Sequence, residues 1–385
     1  MKSATRSLAI ETFVYFLRLG CVGFGGPLAL IANMQRDLIE KRKWITQEEF
    51  SRAFALIKAM PGPVAFMTAV YLGRRRAGWR GGLAAGFALN FPAFTLMVLF
   101  SAFYSSWKNI SGSESFMGGM QAAALAIVLF SLKGLGSAHR KKLIFWILAG
   151  SAAALTALDP SWEPFIILFS GVIAVGASRV FSAPRFIIFP VPWMQFALGD
   201  VSLAGWLVVS QSALELGWTC FKAGAFVFGS GLAIVPMMEH DFVTRLGWLT
   251  HQEFMDALAF GQITPGPVVI TATFIGFKKM GFLGACLATI AIFSAAFFHM
   301  MTWFPPLVNR LSQMSWIQSF LTGAIAAVVG AIFATVVRLA APWVHEPAHF
   351  TIMAAVLAAA ILTKLPAWSL IPLGGLAGLL ARFVF

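Results

Sequence analysis

The chain has 385 residues, 59% of them hydrophobic and only 11% charged, with a mean hydropathy of +0.82. A soluble domain carries about 25% charged residues, so the composition excludes an ordinary globular enzyme, and the lack of strand alternation excludes a membrane β-barrel. The formal net charge of +13 has no soluble basic domain to occupy, so nucleic acid is not a partner; the charge lies in short loops, where Lys and Arg orient membrane helices in the lipid bilayer.

In chain order, Lys2 and Arg6 precede an apolar stretch that imitates a signal peptide. Glu11 and Arg18 interrupt it and no small-residue cleavage site follows, so a retained first helix is expected. That helix runs into GCVGFGGP, residues 20–27. Glycine costs about 1 kcal/mol and proline about 3 kcal/mol against alanine in a helix interior, which predicts a break. An amphipathic segment and the Trp turn KRKWI come next, and then a helix opened by Thr46 and Glu49, a T-x-x-E capping box. It ends at Pro61-Gly62-Pro63, because proline lacks the donor and clashes with the preceding turn.

Apolar runs follow at Leu83–Phe103, Met120–Leu132, Leu143–Leu158 and Phe165–Val175. Several approach the ~20 residues that a spanning helix needs. The loops between them alternate in charge. Arg74, Arg75, Arg76 and Arg80 form one basic cluster, Arg140, Lys141 and Lys142 another, and Arg179 and Arg185 follow the last run. SSWKNISGSE and DPSWEP are neutral or acidic. The basic loops, and the amino terminus with them, are expected on the cytoplasmic side.

After the Pro-rich stretch SRVFSAPRFIIFPVPW the pattern starts again, displaced by 204 residues. FLRLGCVGFGGP at residue 16 becomes CFKAGAFVFGSG at residue 220. Glu11 falls on Glu215, Arg18 on Lys222, Asp37 on Asp241, Trp44 on Trp248, Thr46 and Glu49 on Thr250 and Glu253, and Pro61-Gly62-Pro63 on Pro265-Gly266-Pro267. A one-residue slip then aligns Gly73 with Gly276 and Gly78 with Gly281, and apolar runs recur at Ala285–Met301, Ala324–Val337 and Met353–Leu362. The expected fold is an all-α polytopic membrane protein of two homologous helical halves, residues 1–180 and 200–385, with a linker at 181–199. Its helices are broken, or form re-entrant hairpins, at the Gly-rich and Pro-Gly-Pro motifs. Irregular segments at matching positions in two halves point to a secondary transporter with its substrate site at the midplane.

Residues 1–200 hold 20 Lys and Arg against 9 Asp and Glu; the remainder holds 8 against 6. RRRAGWR is diluted to FKKMGFL. This dilution leans toward an inverted repeat. Inversion requires an odd number of crossings before the second half, with Phe186–Leu198 helping to cross.

Backbone groups freed at a break must be buried in protein or line a watery cavity. Helices that restart after Pro27, Pro63, Gly231 and Pro267 aim N–H groups at the gap, which is an anion site. Each is worth about 0.3–1 kcal/mol, up to ~2 when partly buried, too little to desolvate a dianion without cations. Arg18, Lys222 and Lys58 lie close to the breaks, although Gln262 stands where Lys58 would repeat. A basic residue at the bilayer centre costs about 2.5–3.5 kcal/mol, which an anionic substrate or a carboxylate offsets; snorkelling to the interface is the alternative for Arg18. Glu11 and Glu215, two turns before those cations, are proton-coupling candidates or structural partners. Asp37 and Asp241 are expected as interfacial partners of nearby basic residues, and His299 as a core residue. Cys21, Cys220 and Cys286 are scattered, with no metal or disulfide pattern. No cofactor and no metal is expected, and no catalytic residue: the chain lacks DDxxD, HExxH and phosphate-loop lysine motifs.

FGGP with the Trp turn, Pro-Gly-Pro and G-x-x-x-x-G, followed by a second copy reading FGSG and Pro-Gly-Pro, resembles the chromate ion transporter family in its long-chain, two-domain form. The resemblance covers essentially the whole chain. It implies a multi-pass protein of a bacterial-type inner (plasma) membrane that exports chromate, a tetrahedral dianion like sulfate, and draws on the proton-motive force. A homodimer is compatible with it. Substrate-binding roles then fall on Arg18, Gly25, Gly26, Pro27, Lys58, Pro61, Gly62 and Pro63, and on Lys222, Gly229, Ser230, Gly231, Pro265, Gly266 and Pro267. One departure is that Asn90-Phe91-Pro92, a family-like kink, is matched by Ser294 and Ala295 in the second half. The competing readings are a membrane-embedded enzyme acting on a lipid phosphate and a non-transporting scaffold.

Overall fold

A computed structural model describes residues 2–24, 26–58, 60–137, 141–178, 211–311, 314–363 and 365–382. Among them every regular element is helical, and five helical stretches are long and apolar enough to cross a membrane: Val64–Lys108, Ser113–Ser137, Pro160–Ala177, Val268–Met301 and Trp316–Trp343. The protein is a multi-pass membrane protein. The stretch Phe186–Leu198 lies outside the described residues.

The first half opens with α1 (Lys2–Val22) and α2 (Gly26–Gln35), the latter running into a π-helical turn, Arg36–Lys41. The chain reverses between α1 and α2. After α2 it returns to the middle of α1, where Arg42 pairs with Glu11 at 3.0 Å and lies over the Tyr15 ring at 5.2 Å. Then come α3 (Gln47–Ile57) and α4 (Val64–Lys108). The Thr46–Glu49 capping box opens α3 as expected: Glu49 N–H donates to Thr46 Oγ1 and Thr46 N–H donates to the Glu49 carboxylate.

α4 is two helices. Ala77 (φ −138°) and Gly78 (φ +62°) leave the helical region, and the two arms fold back on each other with Gly73 packed on Gly81. The left-handed φ at Gly78 is open to glycine at no steric cost. The arm at 64–76 is too short to span a bilayer. Its far end meets the start of α3, because Arg75 donates to both Glu49 oxygens at 2.7 and 2.8 Å. Thus α3 and this arm form a re-entrant hairpin with Pro61-Gly62-Pro63 at its tip. Arg76 joins the two hairpins of this half through Glu11, at 3.3 Å. The backbone stays helical through Pro92.

The half closes with α5 (Ser113–Ser137), α6 (Leu143–Leu158) and α7 (Glu163–Ala177). The second half repeats the plan: α8 (Gln211–Ala225), a 3-10 turn Gly231–Ile234, α9 (Val235–Glu239) with the π turn His240–Arg245, then α10 (His251–Ile263), α11 (Thr271–Met301), the short α12 (Phe304–Leu311), α13 (Ser315–Ala340), α14 (Pro347–Leu362) and α15 (Ala367–Ala381). Met280 and Gly281 (φ +63°) make the same turn as Ala77 and Gly78, and Lys278 pairs with Glu253 at 3.0 Å as Arg75 pairs with Glu49.

The halves interlock. α5 packs against α14 and α15, while α13 packs against α6 and α7. Gly119 lies on the Gly374 and Gly378 backbones, and its counterpart Gly323 lies on Ser170 and Ala174. Lipid gives no hydrophobic drive to helix association, so close backbone approach at small residues is what holds such crossings. The outer arms of α4 and α11 cross in opposite directions. Gly82, near the start of one, meets Met301, at the end of the other; Tyr104, near the end of the first, meets Lys278, just before the second begins.

Candidate functional site

The hairpin tips from the two halves come together. Gly62 N–H donates to the Val227 carbonyl at 2.6 Å. Behind them Gly62 abuts Ala296 and its counterpart Gly266 abuts Ala93, so each Pro-Gly-Pro packs on the outer arm of the other half. Phe66, on the inner arm of α4, packs on Phe293 of the outer arm of α11 with ring centres 4.6 Å apart, and Phe24, from the third tip, packs on Trp368 of α15 at 4.9 Å. The irregular backbone at the two Pro-Gly-Pro tips is thus covered by protein, as the bilayer demands.

The expected site residues divide into two groups. Pro61, Gly62, Pro63, Gly229, Ser230, Gly231, Pro265, Gly266 and Pro267 cluster at the tips, buried or half-buried. Gly26 and Pro27 open α2 at the tip of the first hairpin; Gly25 is outside the described residues. The helix after Pro63 and the 3-10 turn after Pro267 start without a side-chain cap. Their first N–H groups therefore keep their donor capacity. At Gly231 the Ser230 hydroxyl accepts from Leu232 N–H at 3.3 Å, so that start is already capped.

The charged residues form the second group. Arg18 is exposed and forms no ion pair among the described residues. Lys58 is exposed, with its ammonium 4.7 Å from the centre of the Phe54 ring. Gln262, in its place in the second half, is buried and donates to the Ala124 carbonyl at 3.3 Å. Glu11 is held by Arg42 and Arg76, and Glu215 accepts from Gln211 at 3.4 Å. Lys222 pairs with Asp241 at 2.7 Å.

Both aspartates pair with nearby basic residues as expected, but they differ in burial. Asp37 is partly exposed, bound by Lys41 at 2.8 Å and Arg36 at 3.5 Å. Asp241 is buried, its side chain 2% exposed, and holds two cations, Lys222 and Arg245, the latter at 2.9 Å. The cause is the loop at 159–162, which covers this end of the second half. A cavity of about 90 Å³ remains there, lined by Ser161, Lys222, His240, Asp241 and Arg245 among others. The Ser161 hydroxyl and N–H hold the Asp159 carboxyl below the usual carboxylate range. Next to this cavity Arg338 of α13 pairs with Glu239.

Sequence reading missed a second buried polar cluster. Asp256 accepts from Tyr104 Oη at 2.5 Å and from Gln121 at 2.7 Å, joining α10 to α4 and α5 across the halves. A signal was present: Asp256 stands at the repeat position of Arg52, a reversal of charge. His299 is a core residue as expected, accepting from Trp303 Nε1 at 3.1 Å. Among the described residues no group of three or more His, Cys, Asp or Glu is placed to hold a metal.

Comparison with known proteins gives a consistent result. Residues 10–176 and 214–379 each match the family described as chromate transporter. The chain is 36% identical to the chromate transport protein of Cupriavidus metallidurans over 344 residues, 86% of this chain and 82% of that protein. It is 35% identical to the probable chromate transport protein of Synechococcus elongatus over 353 residues, 88% and 86% of the two chains. It is 29% identical to the chromate transport protein of Pseudomonas aeruginosa over 381 residues, 93% and 87%. No solved structure matches the chain.

Proposed function

This chain belongs to the chromate transporter family, and we propose that it exports chromate across the inner membrane as a secondary transporter rather than an enzyme. Sulfate-like dianions are candidate co-substrates. The observation that carries the reading is the meeting of the hairpin tips, where Gly62 donates to Val227. Uncapped helix starts after Pro63 and Pro267 face this junction with their positive ends. The paired oxyanion site comprises the tip residues already named, with Arg18, Lys58 and Lys222 as the cations that draw the anion toward it. Lys222 serves this role by exchanging Asp241 for the substrate.

The repeats span residues 1–180 and 200–385, joined by a linker at 181–199, and are inverted in the membrane. The opposite directions of the α4 and α11 outer arms support the inversion. Two opposed pairs of hairpins then open toward opposite faces, the arrangement that alternating access needs. A membrane potential, negative inside, is worth ~2.3 kcal/mol per charge per 100 mV. Outward movement of a dianion is driven by about twice that, before any contribution from protons.

The test is uptake of labelled chromate into everted membrane vesicles, with sulfate and molybdate as competitors. Arg18→Gln and Lys222→Gln are expected to weaken uptake at normal protein levels. Unchanged uptake and apparent affinity in both variants would remove these cations from the site, and turnover of a lipid phosphate by the purified protein would favour the enzyme reading.

A further inference from the structure

Glu163 is the first residue of α7, directly after the loop that closes the cavity at Lys222 and Asp241. It is 1% exposed, and neither of its carboxylate oxygens has a hydrogen-bond partner. Buried carboxylates are ordinarily paired or hydrogen-bonded, because an isolated ionised one is unstable away from water. Glu163 is the exception among the acidic groups around it. Asp241 holds Lys222 and Arg245, and Glu239 holds Arg338. His240, on the same π turn as Asp241, has an unpartnered Nδ1. The electrostatic neighbours of Glu163 are Asp241, Arg338 and Lys222. Of the elements packed against α7, α13 contributes only Arg338 as an ionisable group near this end.

The cations near Glu163 are therefore already committed to other carboxylates. A protonated Glu163 fits this arrangement as it stands. An ionised Glu163 does not: it must draw Lys222 from Asp241 or Arg338 from Glu239. Lys222 lies on α8 one turn before the chain leaves that helix for the tip that carries Val227, Gly229 and Ser230. A change of partner at Lys222 is thus transmitted toward the junction of the hairpins.

We propose that Glu163 is a proton-binding site, and that gain or loss of its proton decides whether Lys222 and Arg338 stay on Asp241 and Glu239 or turn to Glu163. The step is a simple protonation: water on the side of the 159–162 loop delivers a proton to a carboxylate oxygen, and the same O–H bond breaks on release. The proposal rests on the transport reading for its consequence but not for the site itself. Glu11 is not equivalent to it, since Arg42 and Arg76 bind Glu11 at a half-buried position.

Two measurements on the full-length protein separate the claims. In the first, the protein is reconstituted in lipid vesicles and titrated by infrared difference spectroscopy, with no substrate present. The expected result is a protonated-carboxyl band that disappears as pH rises in the wild type and is missing from Glu163→Gln. Glu163→Asp should restore a shifted band, which guards against misfolding of the Gln variant. In the second, chromate uptake by vesicles with clamped potential is followed against an imposed pH gradient. Glu163→Gln is expected to lose the response to that gradient. A band identical in wild type and Glu163→Gln overturns the proton site, whatever the transport result. A band that behaves as expected with no chromate uptake by the wild type leaves the proton site standing and overturns the transport reading. An unaltered gradient response in Glu163→Gln overturns the coupling.

Discussion

The Gly62 N–H and the Val227 carbonyl lie 2.6 Å apart and join two hairpin tips that belong to different halves of the chain. Gly62 has φ +132°, and a Cβ there would fall 2.9 Å from both Ala296 Cβ and Met67 Sδ. Its counterpart Gly266 has φ +123°, but a Cβ would meet only Ala93, at 3.4 Å. Strained backbone costs about 1–3 kcal/mol, and overpacking adds about 1–3 kcal/mol. Gly62→Ala should therefore lower the melting temperature of the purified protein more than Gly266→Ala does. Equal melting temperatures for the two variants would contradict the packing described at the tips.

The asymmetry between Asp37 and Asp241 gives a second prediction. Removing one member of a buried ion pair costs about 3–5 kcal/mol, whereas exposed pairs contribute about 0–1 kcal/mol. Asp241→Asn should destabilise strongly and Asp37→Asn barely. Lys222→Met combined with Asp241→Asn should cost less than the sum of the single changes, which thermal denaturation of the four proteins will measure. Strict additivity would mean that the 2.7 Å pair is not energetically coupled.

Both halves use a capping box, and the carboxyl in each is held below the usual carboxylate range against the effect of burial. Partial burial tends to raise the Glu49 carboxyl, but the Thr46 N–H and the Arg75 guanidinium outweigh it and hold it below the usual carboxylate range. A depressed folded-state value means that the stabilisation is complete above the unfolded value and is lost as pH falls through the folded one. Glu49→Gln should thus be less stable than wild type at neutral pH, with the gap closing in acid. Thr46→Ala should lower stability by about 1 kcal/mol, with much less dependence on pH.

Much of this was legible in the sequence, and the rest was hidden for identifiable reasons. The repeat, the capping boxes and the Pro-Gly-Pro breaks are local patterns, and each reappears at the expected residues. The hairpin turns at Ala77–Gly78 and Met280–Gly281 were not legible as turns, because a single glycine in RRRAGWR does not distinguish a reversal from a continuous helix. The exchange of partners between α5 and α13 was not legible either, since all the helices involved are apolar on every face. Glu163 lies in DPSWEP, which reads in the sequence only as a neutral or acidic loop. Only the tertiary packing of α7, α8, α13 and the π turn at His240–Arg245 shows it to be buried without a partner.

If the two halves are inverted as proposed, the start of α3 and the start of α10 lie at opposite faces of the membrane. Glu48 and Gln252 are equivalent, exposed positions there. In a background with Cys21, Cys220 and Cys286 replaced by Ser, Glu48→Cys should react with a membrane-impermeant maleimide only in everted vesicles. Gln252→Cys should react only in intact cells. Labelling of both from the same side would mean parallel halves.

The central claim is that the joined hairpin tips form the oxyanion path. It is tested most directly by the initial rate of labelled chromate uptake into everted vesicles, compared between wild type and Gly62→Ala at equal amounts of folded protein in the membrane. A rise of ~1.4 kcal/mol in the rate-limiting barrier slows the rate about tenfold. The strain at Gly62 predicts at least that decrease, with uptake by the wild type clearly above that of vesicles lacking the protein. Equal rates for Gly62→Ala and wild type would contradict the claim.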